Sequence, residues 1–238
     1  KHVLCEKPLM TSSIDELKSL EESASKKRIV LYTAYNHRFE PAIIESARIV
    51  DSGKLGKLYK IRIFYGNGTA RLVKESAWRD NGMGVVSDIG SHLIDLIDFL
   101  LPNARIKYKA LRANAFENRA YDHALISSVT SNPLVDLEMT FCSWRNTFAC
   151  DIFGESGSLH IQGLCKWGPS ILILRQRRLP SGIPAEESWE YPQGDPTWKL
   201  EYAFFKELIT MGQLTDLSKD FYIMDELKSL GADLGVSP

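Results

Sequence analysis

The chain has 238 residues, of which 44% are apolar and 25% are charged, as expected for a globular protein with one large or two small domains. Its 29 Lys and Arg balance 30 Asp and Glu, so the net charge of −1 gives no basic surface for nucleic acid or an anionic membrane. The longest apolar-rich segment, residues 82–101, is interrupted by aspartates, which excludes a membrane span there. Four cysteines without CxxC spacing indicate reduced thiols of a cytoplasmic protein rather than disulfides or a metal site.

The beginning of the chain has the pattern of a strand, a helix and a second strand. An apolar run at residues 2–5 ends in Glu-Lys-Pro, and a second apolar run occupies residues 29–33. Between the two runs, one of Thr11, Ser12 and Ser13 is positioned to cap a helix. We therefore expect a right-handed unit with two parallel strands.

The rest of the chain predicts a mostly antiparallel sheet of six or seven strands with helices on one face. A helix at residues 42–52 precedes a strand at 59–65 and a long connection at 66–81. Residues 82–101 form a central helix that Pro102 terminates. Later strands are predicted at 106–115, 123–131, 135–144, 148–153, 158–162 and 171–175. A loop is predicted at 178–197, and two helices are predicted at 195–208 and 221–230. The expected class is α/β, of the α+β kind.

The central helix carries the most informative residues. Gly82 and Gly84 permit a tight entry, and Ser87 and Asp88 are placed to cap the helix. His92 follows Asp88 by one turn, and a carboxylate in that position can fix the tautomer of a histidine and raise its pKa. The alternative for this pattern is an amphipathic helix with a solvated acidic stripe.

Three motifs together resemble the Gfo/Idh/MocA oxidoreductases, the family of glucose–fructose oxidoreductase and inositol dehydrogenase. They are VLCEKPL at residues 3–9, YNHRF at residues 35–39, and DIGSH within residues 82–101. The resemblance implies an NAD(P)-dependent enzyme that transfers hydride between a nicotinamide and a hydroxyl of a sugar, polyol or nucleotide-sugar. It also implies that residues 1–37 are the end of a dinucleotide-binding Rossmann domain. Residues 38–238 would then form the substrate-binding and oligomerisation domain.

The same resemblance implies a set of site residues, and the scattered histidines and carboxylates of the sequence form no metal motif. A lysine matching Lys7 stabilises negative charge on the substrate oxygen, His92 acts as the base, and Asp88 orients the histidine. The catalytic residues implied are thus Lys7, Asp88 and His92. The cofactor-binding residues implied are Glu6, Lys7, Pro8, Asn36, Trp78 and Arg79, and the substrate-binding residues are Lys7, Arg38, Asp88 and His92.

Each of these residues also has a simpler interpretation. Lys7 fits a surface lysine at a strand end, and His92 fits a histidine satisfied by a local hydrogen bond. Arg38 fits a locally paired arginine in a helix-entry loop, and Trp78 fits a core residue. Asp195 and Trp198 are placed to meet a sugar, but capping and core packing explain them as well. His123 and His160 have no partners at metal spacing and read as structural.

The glycine-rich phosphate turn of a Rossmann domain is missing from the sequence. No G-x-G-x-x-G occurs between Lys1 and Pro238, and Gly66-Asn67-Gly68 lacks the last glycine. We therefore expect a fragment that binds NAD or NADP poorly, with exposed apolar surface at residues 3–4 and 29–31. The family further implies a homo-oligomer formed through the large sheet. Two other functions remain open: a non-catalytic oligomerisation module, and a relative that performs NAD-assisted dehydration or glycoside cleavage.

Overall fold

A computed structural model describes residues 1–77, 79–102, 104–130 and 132–236. Its α-helices are α1 (Ile14–Lys26), α2 (Pro41–Asp51), α3 (Ala70–Lys74), α4 (Ser91–Leu100), α5 (Thr197–Thr210) and α6 (Ser218–Leu234). Its strands are β1 (Val3–Glu6), β2 (Leu31–Ala34), β3 (Leu58–Gly66), β4 (Tyr108–Asn114), β5 (His123–Ser128), β6 (Leu134–Thr140), β7 (Thr147–Gly154), β8 (Gly157–Gln162), β9 (Ser170–Gln176) and β10 (Ala185–Tyr191). Across these described ranges, no helix combines the length and apolar character needed to cross a membrane.

The predicted strand–helix–strand unit is confirmed. β1 and β2 pair in parallel, with Val3 opposite Leu31, and α1 connects them. Of the three candidate caps it is Ser13 whose hydroxyl accepts the N–H of Glu16, at 3.2 Å. Val3 and Leu4 are 44% and 41% exposed along β1, as expected, but Val30 is 4% exposed and buried. The expected exposed surface is therefore confirmed for the first run, whereas Ile29 and Leu31 of the second run are only half-exposed.

Within the described residues, the main sheet has eight strands in the order β10-β9-β8-β7-β3-β6-β5-β4. β3 pairs in parallel with β6, and the other neighbouring pairs are antiparallel. Ile61 and Ile63 of β3 are fully buried in the same core as Leu93 and Ile97 of α4. The opposite face of β3 carries Arg62, whose Nη2 lies 2.9 Å from Oδ2 of Asp151. A mostly antiparallel sheet with helices on one face is therefore confirmed.

The eighth strand corrects the prediction of a loop at residues 178–197. β10 pairs antiparallel with β9, with Trp189 opposite Leu172. Its sequence, AEESWEY, has charged residues on both faces, and only Trp189 and Tyr191 are half-buried. A strand at a sheet edge needs little apolar content, because solvent covers much of it. The periodicity that identified the inner strands is therefore weak here.

The central helix begins differently from the prediction. Gly84 has φ +53°, and a Cβ at this position would overlap the backbone oxygen of Tyr121, so the entry requires glycine. Val86–Gly90 then form a π-helical turn that continues directly into α4. The Ser87 hydroxyl donates to the oxygen of Gly84 at 3.0 Å. Ser87 and Asp88 do not cap α4, because they lie inside the continuous π-helical turn. Such turns are frequent at functional sites.

Candidate active site

A cavity of about 250 Å³ lies where the end of β1, the turn after β2, the π-helical turn and the start of α5 meet. Most of the side chains around it are polar, and they include both cations and carboxylates. Its walls are formed by Glu6, Lys7, Ala34, Asn36, His37, Tyr65, Asn67, Arg79, Asp88, Ile89, His92, Lys166, Asp195 and Trp198. Convergent polar groups with perturbed pKa values around a concave space mark a candidate site for a small molecule.

Lys7 and Asp88 meet in this cavity although 81 positions separate them in the sequence. The Lys7 ammonium donates to Oδ1 of Asp88 at 2.8 Å and to its backbone oxygen at 2.6 Å. Arg79 donates to the other carboxylate oxygen, Oδ2, at 2.8 Å. Burial raises the pKa of the Asp88 carboxyl, but the two cations outweigh it and hold this pKa below its ordinary value. Lys7 and Asp88, both implied as catalytic residues, are therefore in direct contact, and Asp88 is ionised near neutrality.

The histidine of the central helix pairs with a second histidine. Nδ1 of His92 lies 3.0 Å from Nδ1 of His37, and Nε2 of His37 lies 3.4 Å from Nζ of Lys166. Lys166 also donates to the hydroxyl of Tyr65 at 3.0 Å. His37 is 3% exposed, whereas His92 retains partial exposure where it lines the cavity. His92, His37, Lys166 and Tyr65 come from four different parts of the chain and are therefore linked by consecutive polar contacts.

This arrangement changes the expected electrostatics of His92. Its pKa lies well below its ordinary value, because burial disfavours the charged ring and Lys7 repels it, with smaller contributions from His37 and Lys166. The expectation that Asp88 raises this pKa is wrong. Both carboxylate oxygens of Asp88 are bonded to Lys7 and Arg79, which balance its charge directly. Among the described residues it is His37 that hydrogen-bonds Nδ1 of His92.

The other residues assigned to the cofactor are distributed around the same cavity. Glu6 and Arg79 line it, and so does Asn36, whose Nδ2 donates to the Thr197 hydroxyl at 3.0 Å. Pro8 follows Lys7 through a cis peptide bond and is absent from the cavity wall as described. Trp78 lies outside the described residues.

Arg38 does not reach this cavity. Its Nε lies 2.8 Å from Oδ2 of Asp95, and its Nη2 lies 3.2 Å from Oδ2 of Asp98. It borders a separate cavity of about 470 Å³ between β2, α5 and α6. Asp95 is fully buried, and a buried carboxylate needs a cation to compensate its charge. Arg38 is therefore held in an ion pair with Asp95 and Asp98 outside the cavity that Lys7 and His92 line, and its assignment to the substrate stays a prediction.

Sequence reasoning missed His37, Tyr65, Asn67 and Lys166. His37 lies inside the YNHRF motif, so its position was visible although its role was not. Lys166 stands alone in a loop after β8, and no spacing rule connects it to residues 129 positions earlier. Asp195 and Trp198 both line the cavity. Asp195 also accepts the Thr197 N–H at 3.0 Å at the start of α5, whereas Trp198 is 53% exposed and is not a core residue.

Comparison with known proteins identifies the fold that holds this cavity. The family model for the GFO/IDH/MocA C-terminal domain matches residues 43–160, which include β3, the π-helical turn and α4. The chain is a member of the GFO/IDH/MocA family. In this GFO/IDH/MocA protein, the matched region supplies Tyr65, Asp88 and His92, and Lys7 comes from outside it.

Three relatives illustrate the similarity. Inositol 2-dehydrogenase 3 of Saccharopolyspora erythraea is 26% identical over 204 residues, which are 79% of this chain and 58% of that protein. Glucose-6-phosphate 3-dehydrogenase of Bacillus subtilis is 28% identical over 45% of this chain and 33% of its own length. A structure of levoglucosan dehydrogenase in complex with NADH and levoglucosan has a TM-score of 0.79 at 18% identity. The match covers 99% of this chain and 72% of that one, and it shows the fold alone.

The alignments with curated relatives cover only part of those proteins. The matched segments span between 26% and 58% of the relatives' own lengths. Relatives of this GFO/IDH/MocA chain are oxidoreductases and dehydrogenases of sugars and polyols. In the described residues, no cluster of three or more His, Cys, Asp or Glu side chains is arranged to hold a metal ion.

Proposed function

We propose that this chain carries the substrate site and part of the nicotinamide site of an NAD(P)-dependent oxidoreductase that acts on a hydroxyl of a sugar, polyol or nucleotide-sugar. The observation that carries the proposal is the 2.8 Å contact between Lys7 and Asp88 in a cavity that His92 also lines. A neutral imidazole can accept the hydroxyl proton of an alcohol, and a cation fixed by a carboxylate can stabilise charge on its oxygen.

Each of the three groups has a distinct task. The Lys7 ammonium is held in place by Asp88 and stabilises negative charge that develops on the substrate oxygen. Nδ1 of His92 is engaged by His37, so Nε2 is the nitrogen that accepts the hydroxyl proton. Asp88 acts as a positioning residue between Lys7 and Arg79. When bound, a nicotinamide supplies the hydride acceptor.

The donor set fits only one end of such a cofactor. Glu6, Lys7, Asn36 and Arg79 provide charged and amide groups beside the cavity for the nicotinamide end. A pyrophosphate needs backbone N–H groups at a glycine-rich helix start, and the sequence has no such motif. We therefore propose that residues 1–37 form the end of a dinucleotide-binding domain. Residues 38–238 then form the substrate-binding and oligomerisation domain.

We also propose a homo-oligomer that associates through the open face of the sheet. This face combines the Arg62–Asp151 ion pair with Phe153, which is 39% exposed. Polar and apolar groups together are typical of an interface that forms from folded subunits. The four cysteines are free thiols, which favours a cytoplasmic location.

The direct test is turnover by the complete gene product that contains this chain, with NAD and NADP and a panel of sugars, polyols and nucleotide-sugars. His92→Ala should lower kcat by about 100-fold or more, with little change in KM, because it removes a group that acts on the reacting proton. His123→Ala is the matched control, since His123 lies on β5 away from the cavity wall. An unchanged kcat in His92→Ala would remove His92 from the mechanism.

Absence of NAD(P)-dependent turnover across the whole panel would overturn the proposed function. The non-catalytic oligomerisation module would then be the better description of the chain.

A further inference from the structure

We propose that His92, His37 and Lys166 form a proton relay, in which the protonation state of Lys166 selects the tautomer of His92. The proposal rests on the proposed function for its chemical purpose and on the geometry of three side chains for its existence. Nδ1 of His92 and Nδ1 of His37 are 3.0 Å apart, and Nε2 of His37 and Nζ of Lys166 are 3.4 Å apart.

A contact between the Nδ1 atoms of two neutral imidazoles requires one N–H and one lone pair. If His37 carries its proton on Nδ1, it donates to His92, and His92 must carry its own proton on Nε2. If His92 carries its proton on Nδ1, it donates to His37, whose own proton is then on Nε2. The two rings therefore change tautomer together.

Lys166 decides between these two states because it faces the remaining nitrogen of His37. An ammonium has donors and no lone pair, so a charged Lys166 requires a lone pair on Nε2 of His37. His37 then donates from Nδ1, and His92 presents an N–H at Nε2 to the cavity. A neutral Lys166 amine has a lone pair and can accept from Nε2 of His37, and in that state His92 presents a lone pair at Nε2. Charged Lys166 therefore holds His92 as an acid, and loss of the Lys166 charge allows His92 to act as a base.

The surroundings of His37 and His92 disfavour a protonated, charged ring, so a proton that reaches one ring is passed on. Burial lowers the pKa of His37, and the charges of Lys166 and Lys7 lower it further. The pKa of His92 is lowered in the same way, so an imidazolium is unfavourable at either ring. Burial also lowers the pKa of Lys166, which brings its neutral amine nearer to physiological pH. The charged groups that face Lys166 are Asp195, Glu40, Lys7 and Asp88.

Oxidation of an alcohol releases one proton from the hydroxyl, and His92, His37 and Lys166 can carry this proton away. The substrate hydroxyl gives its proton to Nε2 of His92, and a bound nicotinamide would accept the hydride from the substrate carbon. His92 passes its Nδ1 proton to Nδ1 of His37, and His37 passes its Nε2 proton to the Lys166 amine. The substrate becomes a carbonyl, Lys166 becomes an ammonium, and both rings end neutral in the opposite tautomer. Lys166 is partly exposed and returns its proton to water.

The test is ¹⁵N–¹H NMR of the imidazole nitrogens in the 238-residue chain without cofactor, recorded as the pH is raised. In the native chain, the proton of His92 should move from Nε2 to Nδ1 as Lys166 loses its charge. In Lys166→Arg the cation persists at every accessible pH, so His92 should keep its proton on Nε2 throughout. Lys57→Arg is the matched control, because Lys57 is exposed and should leave the native change intact.

A native His92 that keeps one tautomer across the titration would overturn the relay, as would a change in Lys166→Arg that matches the native one. Lys166→Met provides a second test if the arginine disturbs folding, and in this variant too the pH-dependent change should disappear. In the complete gene product, Lys166→Arg should also slow oxidation by about 100-fold. A native protein that shows the tautomer change but no NAD(P)-dependent turnover would support the relay and overturn the proposed function.

Discussion

Asp88→Asn tests whether the Asp88 carboxylate holds the candidate site together. The substitution keeps the shape of the side chain but removes the negative charge between Lys7 and Arg79, each of which lies 2.8 Å from a carboxylate oxygen. The Lys7 and Asp88 side chains are only 12% and 24% exposed, so solvent screens the loss weakly. Two hydrogen bonds between charged groups weaken, and two cations lose their shared counter-charge.

Hydrogen bonds to charged groups contribute about 1.5–3 kcal/mol each, and breaking a buried ion pair costs about 3–5 kcal/mol. Because the asparagine oxygen still accepts one bond, we expect the free energy of unfolding to fall by about 3 kcal/mol. For a protein of this size, that change lowers Tm by about 6–12 °C. The measurement is urea unfolding of the native chain and the variant at neutral pH, repeated at acid pH.

The pH dependence distinguishes this mechanism from a general packing defect. The folded-state pKa of Asp88 is lowered, so its stabilisation is complete above the unfolded carboxyl pKa and is lost as the pH falls through the folded value. The difference between native chain and variant should therefore shrink in acid.

Asp225→Asn is the matched control for this experiment. Asp225 pairs with Lys107 at the surface with 59% of its side chain exposed, and its loss should cost less than about 1 kcal/mol. Equal losses in the two variants, or a loss at Asp88 that persists unchanged into acid, would refute the reasoning.

Two further predictions follow from the sequence and the sheet. Calorimetric titration of the 238-residue chain with NAD and with NADP should show no micromolar binding, because the chain has no glycine-rich phosphate turn; micromolar binding would mean that the cofactor site is built another way. Sedimentation should show an oligomer that Phe153→Glu weakens and that Ile183→Glu, in an exposed loop, leaves intact. A clean monomer of the native chain at micromolar concentration would contradict the proposed interface.

The fold was largely predictable because most strands of the sheet have one buried face. In β3, Ile61, Ile63 and Tyr65 alternate with Lys60, Arg62 and Phe64, and burial of the first set imposes that alternation on the sequence. β10 lacked this signal because it lies at the edge. The π-helical turn was also missed, since the residues of VSDIG are compatible with an ordinary α-helix start.

The candidate site was predictable only where a motif marked it. Lys7, Asp88 and His92 were found through motifs, and Lys7 and Asp88 do meet. The partners of each group were not predictable from spacing, because they depend on which charges the fold brings together. Asp88 and His92 are one turn apart in sequence, yet two cations hold Asp88 and His37 holds His92. The spacing of Asp88 and His92 within one helix gives no information about partners that lie far away in the sequence.

The position of β3 in the sheet has a consequence for synthesis of the chain. β3, at Leu58–Gly66, is made well before its two neighbours, β6 and β7, which begin only at Leu134 and Thr147. On the ribosome, about seventy further residues are therefore synthesised after β3 before either edge of this strand can be paired. During that interval the strand presents open edges and an uncovered apolar face, which are the features that chaperones bind and that lead to aggregation. A strand that is paired along both edges in the finished protein is thus unpaired along both edges in the nascent chain.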